Sequence, residues 1–261
     1  MEKITAIEIL TPRLDEEDLD TALERYAARH LRVVEQGSML SVPDNPMGVL
    51  RFHILEVARE LDLPLVSDRF LLHLSTFHTR AHIDQILQEA DTLNVQHVLV
   101  VSGDGSERLP KLDPADIGAD TSAATSVELL DYIHRTWPER FSTGVAFNPY
   151  EPEEHERAKL QRKIEAGASF VITQPIVAPF GPVDRLQECG LPVVVGAWMS
   201  HNIQLLADCV GYDLNLAAPY DPVENLSAIL RHYPRHGVYL SLLNFKKQWE
   251  AVHELLQSGP S

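Results

Sequence analysis

Glu8 lies inside an apolar, β-branched run, Thr5-Ala-Ile-Glu-Ile-Leu10. Strand alternation sets it on the face opposite Ile7 and Ile9. A carboxyl group buried there loses hydration, which favours its neutral form and raises its pKa. That gives a general acid usable near neutral pH, or a structural glutamate if a core lysine or arginine pairs with it. Asp104 stands between Gly103 and Gly105 just past a fully apolar run. Glycines there let the backbone approach a ligand closely, although Gly-Asp-Gly also suits a turn whose carboxylate caps an amide. Gln174 closes the run Phe170-Val-Ile-Thr before Pro175. Its amide donates and accepts, which suits reading a heterocycle edge as well as satisfying a core. His78 and His82 share a face at i and i+4, but no HExxH glutamate or third ligand accompanies them, so no metal is expected. Cys189 and Cys209 lack a CxxC or nucleophile motif and read as ordinary thiols. The chain has no GxGxxG, Walker or GxSxG pattern, so a Rossmann site, a P-loop and a hydrolase elbow are unsupported.

The elements that must position these residues repeat. Short apolar segments fall at 5–10, 31–35 (or its continuation to 42), 63–75, 97–103, 142–148, 170–174, 192–198 and 238–244. Amphipathic stretches separate most of them, and helices are predicted at 15–29, 49–61, from Thr79 with Ile83, Ile86, Leu87 and Ala90 on one face, and at 122–137, 153–167, 201–211, 222–232 and 245–257. Strand then helix, repeated eight times, is the plan of an α/β (β/α)8 TIM barrel, whose active site sits at the C-terminal strand ends. The residues at those ends are Glu8, His73, Asp104, Asn148, Gln174, Trp198 and Asn244. A loop over about 105–121 is long enough to suggest a functional role. No linker or repeat interrupts the pattern, so residues 1–261 read as one catalytic domain.

Hydrophobic residues make up 44% and charged residues 23%, an ordinary globular balance. The formal net charge of −16 argues against nonspecific binding of nucleic acid or an anionic membrane, because phosphates need clustered Lys and Arg. The N-terminus lacks the basic start and apolar run of a signal peptide, and no run approaches the roughly 20 residues of a membrane span. With two lone cysteines, these features point to the cytoplasm. A homo-oligomer is compatible with everything so far.

Several segments share one pattern. Ala166-Gly-Ala-Ser-Phe-Val-Ile-Thr-Gln174, preceded by Leu160-Gln-Arg-Lys163, resembles the lysine-bearing helix, Ala-Gly-Ala turn and Thr-Gln strand end of the 5,10-methylenetetrahydrofolate reductase family. Gly144-Val-Ala-Phe-Asn-Pro149 looks like the strand before it. Val100-Val-Ser-Gly-Asp104, Leu72-His-Leu-Ser75, Ile7-Glu-Ile-Leu-Thr-Pro12, Ser41-Val-Pro-Asp-Asn-Pro46 and Leu243-Asn244 are similar to further family segments, in the same order.

The resemblance implies a barrel that reduces 5,10-methylenetetrahydrofolate to 5-methyltetrahydrofolate, with NADH or NADPH as reductant and FAD as the relay. It makes Glu8 the general acid that helps open the methylene bridge to an iminium. It puts Asp104 beside pterin and flavin, and Gln174 and Asn148 against the substrate. It makes His73, Ser102, Gly103, Lys163 and Asn45 flavin contacts. The departures gather at the flavin positions: Ser102 replaces arginine, Asn148 tyrosine, Pro43 a hydroxyl residue and Lys159 a small polar one, and Pro175 follows Gln174. Three functions therefore stand: a reductase with weak or no flavin use, a divergent folate or pterin one-carbon enzyme of a demethylation pathway, and a non-catalytic folate-binding subunit.

Overall fold

The computed structural model describes residues 4–214, 219–242 and 244–258. Its elements are β1 (Thr5–Glu8), α1 (Leu19–Glu35), β2 (Met39–Val42), α2 (Ile54–Glu60), β3 (Phe70–Ser75), α3 (Arg80–Thr92), β4 (His97–Val101), α4 (Ser126–Thr136), β5 (Ser142–Phe147), α5 (Glu153–Glu165), β6 (Phe170–Thr173), α6 (Gly181–Asp184), β7 (Val193–Trp198), α7 (Ile203–Val210), α8 (Pro222–His232), β8 (Gly237–Ser241) and α9 (Phe245–Ser258). The eight strands close in sequence order into one barrel, a (β/α)8 TIM barrel.

Parallel strands buried on both faces need near-continuous apolar runs. Phe70-Leu-Leu-His-Leu-Ser75 and Val193-Val-Val-Gly-Ala-Trp198 are buried at every position. The helices start where side chains cap them. Thr79 accepts from the His82 N–H ahead of α3, and Thr125 with Glu128 forms a capping box on α4. Ile83, Ile86, Leu87 and Ala90 form the buried face of α3, as their spacing predicts.

Three expectations change. Residues 31–35 are the end of α1, where Val33 is fully buried, and the second strand is the continuation Met39–Val42. The third strand begins at Phe70, after a 3-10 turn over Ser67–Arg69. The eighth ends at Ser241, and Leu243 lies outside the described residues.

The contacts divide the chain into two compact units. One takes β1, Ala146–Leu160 and the described chain from Phe170 onward; the other takes Ile9–Val145 and Gln161–Ser169. In the first, β8 pairs with β1 from Thr5↔Val238 to Glu8↔Ser241, and with β7 from Val194↔Gly237 to Trp198↔Ser241. Gly196 is obligatory in this sheet: a Cβ would fall 2.7 Å from the Thr173 carbonyl oxygen and 2.9 Å from Pro175 backbone atoms. In the second unit, β2 to β5 pair in register, and the long loop returns to pack Leu112 with its N–H on the Thr76 carbonyl at 2.8 Å.

Candidate functional site

In the first unit the polar feature at a strand end is Glu8. Parallel register puts Glu8 on the same face as Tyr239, and the Tyr239 hydroxyl donates to Glu8 Oε2 at 2.5 Å. Tyr239 is buried while Glu8 is half-buried, so the tyrosine holds the carboxyl at the edge of the core. Sequence reasoning missed Tyr239, although its place in the run Val238-Tyr-Leu-Ser241 was a usable signal. Gln174 is half-buried one residue past β6, with its N–H on the Phe147 carbonyl at 2.7 Å. Among the described residues nothing hydrogen-bonds its side-chain amide, which stays available to a ligand. Asn148 differs: its Nδ2 donates to the Val210 carbonyl, its Oδ1 accepts from the Tyr150 N–H, and its own N–H reaches Glu156. Trp198 packs into an apolar cluster with Leu206 and Val210, and Asn244 is exposed ahead of α9.

In the second unit a cavity of about 310 Å³ opens beside the ends of β2 and β3. That is at the lower end of the roughly 300–1,000 Å³ of small-molecule sites. Leu14, Leu50, Phe52 and Phe77 wall it, with Asp44, His53, His73, His78 and His82 among its polar lining. Asp44, in the loop after β2, accepts from the Ser75 N–H (2.9 Å), Asn45 Nδ2 (2.9 Å) and His78 Nε2 (2.7 Å). Its side chain is 2% exposed. Burial opposes its charge, but the His78 contact and the Ser75 N–H more than offset that, and the carboxyl falls to about 2. His78 Nδ1 lies 3.0 Å from His82 Nδ1, so a hydrogen-bonded chain runs Asp44–His78–His82.

His73 is buried against the Ser41 hydroxyl at 2.8 Å, and desolvation lowers its imidazole to about 4. Burial likewise brings His53 to about 4 and lowers His82, with the neighbouring His78 charge adding to both. Among the described residues no group of three or more His, Cys, Asp or Glu is arranged to hold a metal. Asp44 and His53 escaped sequence reasoning. Asp44-Asn45-Pro46 reads as a turn, and its partner His78 is 34 residues away.

The other predicted contacts also fall in this unit. The Asp104 carboxylate caps an amide, that of Met47 at 2.5 Å across the two loops. Gly103 has φ +77°, and a Cβ there would sit 2.6 Å from Ser75 Cβ, so only glycine fits. Ser102 lends its carbonyl to Thr76 and its hydroxyl to the Ser126 N–H. Asn45 Oδ1 accepts from the Arg51 N–H at 2.9 Å. Lys163 is buried in the last turn of α5.

Residues 66–180 match the family model of methylenetetrahydrofolate reductase. The matched span holds β3 to β6, and with them Asp104, Lys163 and Gln174. Solved structures of the same architecture include the dihydropteroate synthase of Xanthomonas albilineans in complex with indole-2-carboxylic acid and 6-chloroguanine, 16% identical over 99% of this chain and 95% of that one, TM-score 0.51. The dihydropteroate synthase of Coxiella burnetii in complex with pteroic acid is 12% identical over 99% and 94%, TM-score 0.51. A 2,3-dimethylmalate lyase is 9% identical over 98% and 81%, TM-score 0.51. At these identities the likeness concerns the fold alone. Among the described residues no helix is long and apolar enough to cross a membrane.

Proposed function

We propose that this chain is a single catalytic unit that reduces 5,10-methylenetetrahydrofolate to 5-methyltetrahydrofolate. The match of residues 66–180 to the reductase family model supports a folate substrate. The observation that carries the reaction is Glu8, a half-buried acid at a strand end gripped by a tyrosine hydroxyl. Protonated Glu8 gives its proton to a bridging nitrogen of the substrate, the methylene bridge opens to an iminium, and a hydride from NADH or NADPH completes the methyl group. The balance is one proton and one hydride in, with the nicotinamide leaving oxidised. The amide of Gln174 reads the pterin edge.

The residues present do not fit a flavin seated as the family resemblance implies. His73 and Asn45 share their surroundings with Asp44, an ionised and buried carboxylate that would face an anionic diphosphate at low dielectric. The loop holding Asn45 is tied to Asp104 through Met47, and a Cβ on Gly48 would strike the Gly105 carbonyl oxygen at 2.7 Å. No step is therefore assigned to flavin. The remodelled cavity also favours a second reading, a different one-carbon transformation of a folate or pterin, which a panel of folate and pterin substrates separates from the first. The primary test follows NADH and NADPH oxidation with methylenetetrahydrofolate, with and without added FAD. Oxidation indifferent to FAD is expected; an absolute requirement for FAD overturns the flavin-free reading, and no oxidation in either condition overturns the reductase itself.

A further inference from the structure

The Asp44–His78–His82 chain has a fixed polarity. An ionised carboxylate only accepts hydrogen bonds, so His78 Nε2 carries the proton that meets Asp44. In neutral His78 the lone pair then lies on Nδ1, and the bond at 3.0 Å requires the proton on His82 Nδ1. That leaves the lone pair of His82 on Nε2, and among the described residues nothing hydrogen-bonds to it. A carboxylate that orients an imidazole and stabilises its charged form is the arrangement by which histidine becomes an effective base. Here the effect is passed through a second imidazole.

We propose that Asp44, His78 and His82 form a proton-transfer site, distinct from Glu8, at which His82 Nε2 takes a proton from an acidic N–H or O–H group of an aromatic molecule lodged in the adjoining cavity. The proton moves onto His82 Nε2, the His82 Nδ1 proton passes to His78 Nδ1, and the positive charge comes to rest on the imidazole touching Asp44. The ligand leaves as its conjugate base or reacts as one. No electron is transferred. His82 is the catalytic group; Asp44 and His78 are positioning residues. The aromatic class follows from the walls, where Phe52, Phe77, Leu14 and Leu50 supply apolar faces. The charged and titratable groups facing the chain are His53 and Glu56 at the start of α2, Arg51 just before it and His73 on β3. Lys111, from the long loop, sits 4.2 Å over the Phe77 ring. Burial lowers both His53 and His73, so they stay neutral near pH 7 and leave the chain to carry the proton. This inference does not rest on the folate reading, since none of its groups acts in that reaction.

The test is carbethoxylation of the intact protein by diethyl pyrocarbonate, which attacks unprotonated imidazole nitrogen, followed residue by residue by mass spectrometry across pH. His82 is expected to react at least tenfold faster than exposed His155, to be slowed at least tenfold in Asp44→Asn, and to be shielded by 4-nitrophenol. Circular dichroism and the unchanged rate at His155 establish that the variant is folded. Reaction at His82 no faster than at His155, or indifferent to Asp44→Asn, overturns the relay. Absence of shielding by 4-nitrophenol overturns the aromatic ligand. Stoichiometric binding of Zn²⁺ with protection of His78 and His82 overturns the shared proton and makes the pair a cation site.

Discussion

Two carboxylates stand at neighbouring positions in the strand plan, at the end of β1 and just past β2, and their partners make them opposites. Glu8 meets a phenol hydroxyl and keeps one side toward solvent. Asp44 is almost wholly buried and receives a backbone N–H, an amide and an imidazole. A neutral hydroxyl donor at a half-exposed carboxyl leaves it able to take up and release a proton. Three donors, one of them an imidazole, hold a carboxylate permanently charged, so it can only orient what it touches. Residue type at a strand end does not decide the role; the donor set does.

The sharpest way to break the contrast is Glu8→Gln. It keeps the shape and the Tyr239 contact but removes the proton, so turnover of methylenetetrahydrofolate should fall by roughly 100- to 10,000-fold with the thermal midpoint unchanged. Turnover within a factor of a few of the parent sinks the assigned acid. The next largest effect is on stability against pH. The folded His73 imidazole resists protonation down to about 4, against 6.5 in the unfolded chain. As pH falls below 6.5 the unfolded chain binds the proton first, and about 3 kcal/mol drains away by pH 4. Asp44, at about 2 against 3.8, contributes about 2 kcal/mol that is present above pH 3.8 and lost as pH falls toward 2. Urea titrations at a series of pH values should show both limbs, with His73→Gln flattening the upper and Asp44→Asn the lower.

Gly103→Ala should cost about 1–3 kcal/mol, since it adds a Cβ at a positive φ and presses on Ser75, whose N–H serves Asp44. The smallest effect is expected from Tyr239→Phe. Losing the hydroxyl removes a donor to the charged form of Glu8 and should displace the alkaline limb of the rate profile upward, with a stability loss of about 1 kcal/mol. A profile that does not move would mean the tyrosine is only packing.

The barrel was legible because strands buried on both faces leave near-continuous apolar runs, such as those of β3 and β7. The failure at 31–35 has a plain cause. Leu31-Arg-Val-Val-Glu35 is β-branched and apolar enough for a strand, yet Val33 continues the buried stripe of Tyr26 and His30 on α1. Glu8 could be singled out because a charge inside an apolar strand violates the local pattern. Asp44 violates nothing locally; it sits in a polar turn beside proline, and only the folded chain brings His78 to it. Spacing displayed the His78 and His82 pair but not the proton they share, which depends on a carboxylate from another element.

The bond from the Ser75 amide to Asp44 has a further consequence. The last amide of β3 is held by a side chain from the loop after β2, so that proton can reach solvent only when the loop lets go. Its hydrogen-exchange rate therefore clocks the opening of that loop, separately from unfolding of the sheet. A molecule that settles in the cavity and steadies the loop would be announced by a slower clock at this one residue, before its chemistry is known.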